Sequence, residues 1–268
     1  MPFALIGFFL AISSPQYNFE WTTFLYVVLC MVFARSAAMA FNRYIDRDID
    51  TENPRTSETR EIPNGSIKPN SALIFVIISS LLFIATTFLI NPICFYLSPI
   101  ALLVVLGYSY TKRFTPLCHL ILGLGLALAP IGAYLAVSGE FNLIPILLST
   151  SVLFWVSGFD IIYSLQDEEF DRAQQLHSIP VILGRENALL LSNTFHFLSG
   201  IILALLGTIG EFGIWYWIGF SIFSALLIYQ HTLVKHNDLS KVNLAFFNTN
   251  GIASVIFGVF VIIELLTN

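Results

Sequence analysis

Two clusters of acidic residues occupy matching positions in the two halves of the chain, each directly after an apolar segment. The first cluster is formed by Asn42, Asp46 and Asp50. The aspartates that align in the second cluster are Asp160, Asp167 and Asp171. On a helix, spacings of four, seven and eleven residues return side chains to one face. We therefore expect each cluster to present a row of oxygen ligands on one side of a helix.

Carboxylates at this spacing repel one another unless a cation lies between them. Oxygen ligands suit Mg²⁺, which proteins commonly hold through a few carboxylates and the phosphates of a substrate. Two such rows facing each other across a cavity could hold about two Mg²⁺ ions and a diphosphate. The alternative is a pair of solvated charge runs balanced by their neighbours Arg43, Arg47 and Arg172. The matching spacing of the two clusters favours the metal site.

A diphosphate also requires basic side chains, because arginine binds phosphate oxygens through a bidentate fork and lysine binds them as a point charge. Tyr108 and Lys112 are four residues apart at the end of an apolar segment, so they share a helix face. Arg60 follows the first acidic cluster. Lys112 and Arg113 could instead be no more than the positive charges that orient a membrane protein.

Arg35 is the one basic residue placed inside an apolar segment, and it lies two helical turns before Asn42 on the same face. A lone arginine within a membrane costs at least about 2.5–3.5 kcal/mol and therefore requires an anionic partner. That partner is either the carboxylate of a substrate or the side chain of Asp160 at a similar depth. We predict contact with a substrate carboxylate.

The segments that carry these residues are long and apolar. The chain has 268 residues, of which 56% are hydrophobic and 11% charged, and its mean hydropathy is +0.80. Soluble domains carry about 25% charged residues, and a membrane β-barrel would alternate apolar and polar residues. We therefore predict an all-α membrane protein with nine transmembrane helices, the first of them short. The segments are 2–13, 21–41, 71–90, 93–110, 118–138, 143–163, 187–208, 213–233 and 244–266.

The polar segments between these helices alternate in charge. One set is basic, and its longest member covers residues 42–70. The opposite set is short and contains Glu20, Glu140 and Glu211 without any Lys or Arg. The positive-inside rule assigns basic segments to the cytoplasm. We therefore predict a multi-pass protein of the bacterial inner membrane whose active site faces the cytoplasm.

The acidic and basic motifs together resemble those of the UbiA superfamily of intramembrane prenyltransferases. The family motif NxxxDxxxD is present as Asn42, Asp46 and Asp50. The motif DxxYxxxDxxxD is present as Asp160, Tyr163, Asp167 and Asp171, and the element YxxxK as Tyr108 and Lys112. The run Asn-Pro-Arg-Thr at 53–56 is also similar to the family. The resemblance implies one UbiA-like domain over residues 1–268, with its helices around a central cavity.

The resemblance also implies a Mg²⁺-dependent polyprenyltransferase. Its metal ligands would be Asn42, Asp46, Asp50, Asp167 and Asp171. Arg60, Tyr108 and Lys112 would bind the departing diphosphate, an electrostatic form of catalysis in which the four aspartates and Lys112 are the catalytic residues. Loss of diphosphate leaves an allylic cation, which an electron-rich ring attacks ortho to its hydroxyl group. Residues that would contact this aromatic acceptor are Arg35, Asp160 and Tyr163.

The acceptor implied by the resemblance is an aromatic carboxylic acid. Family members that act on 4-hydroxybenzoate carry an arginine at the position of Arg35, and it contacts the carboxylate. The run 37–50 also resembles a branch that prenylates 1,4-dihydroxy-6-naphthoate, so ubiquinone and menaquinone biosynthesis both remain open. A secondary transporter of an anionic metabolite is the alternative of another class; clusters at one membrane face favour the enzyme. Expected partners are polyprenyl diphosphate, the acid and the lipid bilayer, with no nucleic acid.

Overall fold

The structure is a computed structural model that describes residues 1–267, and helices account for nearly all of its regular structure. The helices are α1 (Pro2–Ile12), α2 (Trp21–Ile45), α3 (Arg47–Glu52), α4 (Pro69–Ile90), α5 (Pro92–Thr111), α6 (Cys118–Ser138), α7 (Leu143–Ser164), α8 (Glu168–Ala173), α9 (Ile179–Ile209), α10 (Ile214–Leu233) and α11 (Asn250–Thr267). A 3₁₀ turn over Leu165–Asp167 joins α7 to α8, and a π-helical turn over Leu244–Thr249 precedes α11.

A helix is present at each of the nine predicted segments. Within the described part of the chain, seven helical stretches are long and apolar enough to cross a membrane. They are Trp21–Ile45, Pro69–Ile90, Pro92–Thr111, Cys118–Ser138, Leu143–Ala173, Ile179–Ile209 and Leu244–Thr267. The two remaining helices are α1, which has only 11 residues, and α10, which has 20. The protein is therefore an all-helical, multi-pass membrane protein.

Local sequence signals define several helix ends. Proline occupies the first turn of several helices, where its missing N–H group is not needed. The side chain of Asn91 accepts a hydrogen bond from the Cys94 amide at 2.9 Å and caps α5. Gly139 ends α6 with a positive φ of 68°, a conformation that glycine adopts without strain. Asn91 and Gly139 lie at the end of the bundle opposite the acidic clusters, where the connections are short.

Close helix packing brings α6 against α7. A Cβ atom on Gly123 of α6 would lie 2.4 Å from Ser157 Oγ and 2.5 Å from the Leu153 carbonyl oxygen of α7. Only glycine permits this approach, because any side chain would force the helices apart. At the other side of α7, Phe3 of α1 packs on Trp155 with ring centroids 5.0 Å apart. The short helix α1 is therefore part of the hydrophobic core.

The basic polar segments meet at one end of the helical bundle. The amide of His177 donates a hydrogen bond to the Lys112 carbonyl oxygen at 2.7 Å, which joins the α8–α9 connection to the end of α5. The side chain of Gln174 donates to Glu52 at 2.7 Å, which joins the same connection to α3. The two acidic clusters are thus brought together at this end, as their matching positions predict.

Candidate active site

A cavity of about 210 Å³ opens among α2, α3, α5, α6 and α7 at the end where the basic segments meet. Nine of the residues predicted from sequence line it: Asn42, Asp46, Asp50, Arg60, Tyr108, Lys112, Asp160, Tyr163 and Asp167. Asp171 is fully buried next to it, and Arg35 lies outside its lining. The two acidic clusters therefore face one shared space.

The first cluster does not lie on one continuous helix, so that prediction is wrong. α2 ends at Ile45, Asp46 adopts a non-helical conformation with φ −89° and ψ 5°, and α3 starts at the next residue. The turn still keeps the four-residue hydrogen bonds, since the Asp50 amide donates to the Asp46 carbonyl oxygen at 2.7 Å. The four-residue spacing therefore still brings neighbouring side chains of the cluster together. The side-chain amide of Asn42 donates to the Asp46 carboxylate at 2.8 Å.

The second cluster also departs from a single helix face. α7 ends at Ser164, and a 3₁₀ turn that includes Asp167 separates it from the short helix carrying Asp171. A 3₁₀ turn has three residues per turn rather than 3.6, so the predicted seven-residue alignment does not hold. Both carboxylates are nevertheless buried. Their burial beside the cavity results from the fold of this segment and not from helical periodicity.

Basic side chains from distant parts of the chain already pair with these carboxylates. Lys112 Nζ lies 2.7 Å from Asp171 Oδ1, and the Arg55 guanidinium donates to both oxygens of Asp167, with Nε to Oδ1 at 2.9 Å. Burial by itself would lower the pKa of Lys112, but the Asp171 carboxylate raises it above the ordinary value. To bind these carboxylates, a Mg²⁺ ion would have to displace Lys112 and Arg55 from them.

The neighbouring arginines proposed as balancing charges pair elsewhere. Arg172 binds Glu168 at 2.8 Å, Arg43 lies 3.5 Å from Glu61, and Arg47 lies 3.8 Å from Asp48. Two of these partners, Asp48 and Glu168, belong to the acidic runs themselves, but none of the three arginines lies within ion-pair distance of the aspartates predicted as metal ligands in residues 1–267. Arg113, the residue after Lys112, also contacts a carboxylate of the first cluster, with its guanidinium 3.3 Å from Asp46.

Arg55 is a site residue whose role the sequence did not predict. Its Nη1 atom donates to the Tyr163 hydroxyl at 2.9 Å, and its guanidinium lies 5.2 Å from the centre of that ring. The ring of Tyr163 stacks in turn on Phe246 at 4.2 Å. The sequence signal that points to Arg55 is the Asn-Pro-Arg-Thr run. Within this run, the Asn53 side chain accepts a hydrogen bond from the Arg55 backbone amide at 2.9 Å and donates one to Asp167 at 3.1 Å.

Among the described residues that line the cavity, two have a buried polar side-chain atom without a hydrogen-bond partner. These atoms are Oδ2 of Asp50 and Nη1 of Arg60. Burial raises the pKa of Asp50, and burial together with the like charge of Asp50 raises the pKa of Asp46 to about 6. A cation would satisfy the buried carboxylate oxygen of Asp50, and an anion would satisfy the buried guanidinium nitrogen of Arg60.

The partner of Asp160 is a histidine and not Arg35. Asp160 does not pair with Arg35, because its Oδ2 atom binds His119 Nδ1 at 2.7 Å. Arg35 is exposed on α2 and contacts no carboxylate within ion-pair distance in residues 1–267. His119, which belongs to none of the motifs, also lines the cavity. No sequence spacing links His119 to Asp160, and only the packing of α6 on α7 reveals the pair.

Fold and cavity together define a class of protein: a helical, multi-pass membrane protein with an acidic and basic cavity at one end of its bundle. Comparison with known families is more specific. The chain belongs to the UbiA prenyltransferase family, whose model matches residues 1–252. The predicted resemblance is thereby confirmed, and the protein is an enzyme of the kind that transfers a prenyl group from a prenyl diphosphate.

Relatives with known names are moderately similar. The chain is 29% identical over 237 residues to 4-hydroxybenzoate octaprenyltransferase of Aeromonas hydrophila, covering 88% of this chain and 82% of the relative. It is 29% identical over 231 residues to the protein of the same name from Aromatoleum aromaticum, covering 86% and 78%.

Two solved structures have the same fold. The apo structure of a UbiA homolog from Aeropyrum pernix is 31% identical with a TM-score of 0.88, covering 98% of this chain and 95% of that one. A UbiA homolog from Archaeoglobus fulgidus bound to GPP and Mg²⁺ is 22% identical with a TM-score of 0.69, covering 99% and 97%.

Proposed function

We propose that the protein transfers a polyprenyl group from polyprenyl diphosphate to the ring of an aromatic hydroxy acid, 4-hydroxybenzoate, in quinone biosynthesis. The observation that carries this proposal is a single cavity that combines buried carboxylates with arginine and lysine side chains. The relatives named 4-hydroxybenzoate octaprenyltransferase support the choice of acceptor.

The residues of the cavity fit Mg²⁺. No three His, Cys, Asp or Glu side chains of the described residues form a metal site by themselves. Mg²⁺ needs no such group, because it commonly binds one or two carboxylates and takes its other ligands from water and substrate phosphates. The unpartnered oxygen of Asp50 is a first ligand, and Asn42, Asp46, Asp167 and Asp171 complete the proposed set. The ion supplies positive charge that stabilises the leaving diphosphate.

The basic residues would bind the diphosphate itself. Arg60 offers a buried and unpartnered Nη1 atom, and Tyr108 and Lys112 line the same cavity. With Asp167 and Asp171 as ligands of Mg²⁺, Arg55 and Lys112 would be free to bind phosphate oxygens. The protein's own residues thereby exchange one set of ion pairs for another, and charge in the buried cavity remains balanced.

The aromatic acid would bind on the side of the cavity formed by α2 and α7. Asp160 and Tyr163 line the cavity, and Arg35 supplies a guanidinium without a carboxylate partner in residues 1–267. Arginine binds carboxylates through its two-pronged fork. A second acceptor, 1,4-dihydroxy-6-naphthoate, carries the same carboxylate and is favoured by the similarity of the run 37–50 to the branch that uses it.

In the membrane, we propose that α1 and α10 join the seven longer segments, so that nine helices of one domain surround the cavity. The end that carries the basic segments faces the cytoplasm, in agreement with the positive-inside rule. The compartment is the bacterial inner membrane. Labelling of single cysteines introduced at Ser66 and Glu140 with a membrane-impermeant reagent tests this orientation, because only the second should react from outside.

The function is tested by transfer assays with purified protein, Mg²⁺ and one long polyprenyl diphosphate. We expect transfer to 4-hydroxybenzoate or to 1,4-dihydroxy-6-naphthoate, and the ratio of their kcat/KM values identifies the acceptor. Arg35→Leu should raise the KM of the acid about 10- to 100-fold, the loss of one charged hydrogen-bonding pair, and leave the KM of the diphosphate unchanged.

The control variant is Arg172→Leu, which removes an exposed arginine on α8 and should retain full activity. The methyl ester of 4-hydroxybenzoate is a neutral acceptor without a carboxylate. The wild type and Arg35→Leu should prenylate it with the same kcat/KM. Transfer to neither acid would disprove the proposed function, and an unchanged KM in Arg35→Leu would disprove the role of Arg35.

A further inference from the structure

A histidine and an aspartate face each other across two helices at the deep side of the cavity. His119 is the second residue of α6, and Asp160 lies in the last turns of α7. Nδ1 of His119 is 2.7 Å from Oδ2 of Asp160, a short distance typical of a hydrogen bond to a charged carboxylate. The His119 side chain is only 3% exposed, whereas that of Asp160 is 20% exposed, on the cavity side.

The hydrogen bonds of His119 determine where its proton lies. The backbone amide of Ile179 donates to His119 Nε2 at 3.3 Å. An amide N–H can only donate, so Nε2 must carry a lone pair and the ring proton must be on Nδ1. Nδ1 therefore donates to Asp160 Oδ2. The carboxylate accepts this bond with one oxygen and keeps its other oxygen, Oδ1, for the cavity.

The pair is held rigidly by three helices. The hydroxyl of Ser157, one turn before Asp160 on α7, donates to the His119 carbonyl oxygen at 3.1 Å. Gly123, one turn after His119, allows the close approach of α6 to α7 at this level. The amide of Ile179 at the start of α9 fixes the other side of the ring. Such fixed hydrogen bonds are the usual means by which a protein orients a functional side chain.

We propose that His119 is a positioning residue that orients the Asp160 carboxylate, whose Oδ1 accepts the proton of the acceptor's ring hydroxyl. This inference rests on the proposed function, since an aromatic hydroxy acid is its substrate. Asp160 is then the catalytic base, and His119 acts only through Asp160.

Asp160 Oδ1 takes the hydroxyl proton, and the electron pair of the O–H bond moves into the ring. The ortho carbon of the ring bonds to the allylic carbon, whose C–O bond breaks so that diphosphate leaves with that electron pair. The proton on the attacked ring carbon then passes to the diphosphate. Asp160 returns its proton to the phenolate oxygen and is ready for the next turnover.

The test is a double-mutant cycle on kcat/KM for the aromatic acid. His119→Leu removes the donor and keeps an apolar side chain of similar size, whereas His119→Asn places an amide N–H where Nδ1 stood. We expect His119→Leu to lower kcat/KM about 10- to 100-fold, as the loss of an orienting partner does, and His119→Asn to restore most of it. Asp160→Asn should lower it about 100-fold or more.

In the Asp160→Asn background, His119→Leu should change kcat/KM by less than about threefold, because residues that act as one unit are not additive. Release of diphosphate from the prenyl donor without any acceptor should be equal in the wild type and both His119 variants. This second readout shows that a variant is folded and binds its donor. If His119 had only a structural role, its loss would lower diphosphate release as well.

Three results would overturn the inference: an unchanged kcat/KM in His119→Leu, an equal loss in the Asp160→Asn background, or a parallel fall in acceptor-independent diphosphate release. These failures differ from failure of the proposed function. In that case the wild type itself transfers no prenyl group to an aromatic acid, and the reaction that His119 would serve does not occur.

Discussion

Removal of Lys112 should have two effects that can be separated, one on stability and one on catalysis. Lys112 lies 2.7 Å from Asp171, whose side chain is fully buried, while Lys112 is 32% exposed. At an effective dielectric constant of about 20, unit charges at this distance attract by about 6 kcal/mol. The cost of removing both charges from water offsets most of this attraction.

The net loss in Lys112→Met should be about 2–3 kcal/mol. Removing one partner of a buried ion pair costs about 3–5 kcal/mol, because the other charge stays buried without a partner. The partial exposure of Lys112 reduces this cost through screening by water. A stability loss of this size lowers the unfolding temperature by about 5–10 °C for a chain of this length.

The double variant Lys112→Met, Asp171→Asn should recover most of the stability, to within about 1 kcal/mol of the wild type, since no unpaired charge remains. It should not recover activity, because a cation that binds diphosphate and a proposed ligand of Mg²⁺ are both missing. We expect kcat/KM for the prenyl diphosphate to be about 100-fold low or more in the single and the double variant.

The measurements are thermal unfolding in detergent and prenyl transfer with saturating acceptor. Lys68→Met is the control, since Lys68 is an exposed lysine at the same end of the bundle without an ion pair in residues 1–267. Its stability should change by less than about 0.5 kcal/mol. Equal instability of the single and double variants would refute the coupling between Lys112 and Asp171. Recovered transfer in the double variant would refute their catalytic roles.

Further variants test the metal site, a helix cap and a helix contact. Asp50→Asn removes the unpartnered oxygen and should raise the Mg²⁺ concentration needed for half-maximal transfer about 10-fold or more, and EDTA should abolish transfer in the wild type. The buried carboxylate of Glu264 accepts the Gly213 amide at 2.6 Å and two further amides at the start of α10, so Glu264→Leu should cost about 2–3 kcal/mol in unfolding free energy. Gly123→Val should push α6 from Ser157 and destabilise by about 1–3 kcal/mol, whereas Gly132→Val, which meets no neighbour, is its control.

Each of these expectations can fail in a defined way. Transfer that persists in EDTA would show that the reaction needs no divalent ion. Unchanged unfolding of Glu264→Leu would show that water replaces the carboxylate at the three amides. Equal stability of the two glycine variants would show that α6 can move away from α7 without cost.

Several features of this protein could be predicted from the sequence because they depend on local properties. Long apolar segments predict membrane helices, since an apolar helix of this length satisfies its own backbone and matches the bilayer. A helix is found at each predicted segment, although α1 and α10 are not among the seven long apolar stretches. The spacing of Asn42, Asp46 and Asp50 identified the first acidic cluster. The similar cluster in the second half of the chain predicted that the two would face each other across a cavity.

Tertiary structure alone decided which charges meet. The pairs Arg55–Asp167 and Lys112–Asp171 join residues far apart in sequence, and no periodicity connects them. Local breaks at Asp46 and at the 3₁₀ turn re-aim the carboxylates that a regular helix would have aligned.

The same holds for His119, whose role depends on Asp160 of another helix. The physical reason is that hydrophobic length and helix periodicity are short-range properties of the chain. Ion pairs and hydrogen-bond tautomers depend instead on side-chain distances of about 3 Å. Such distances exist only after the helices have packed, as α6 does on α7 at Gly123.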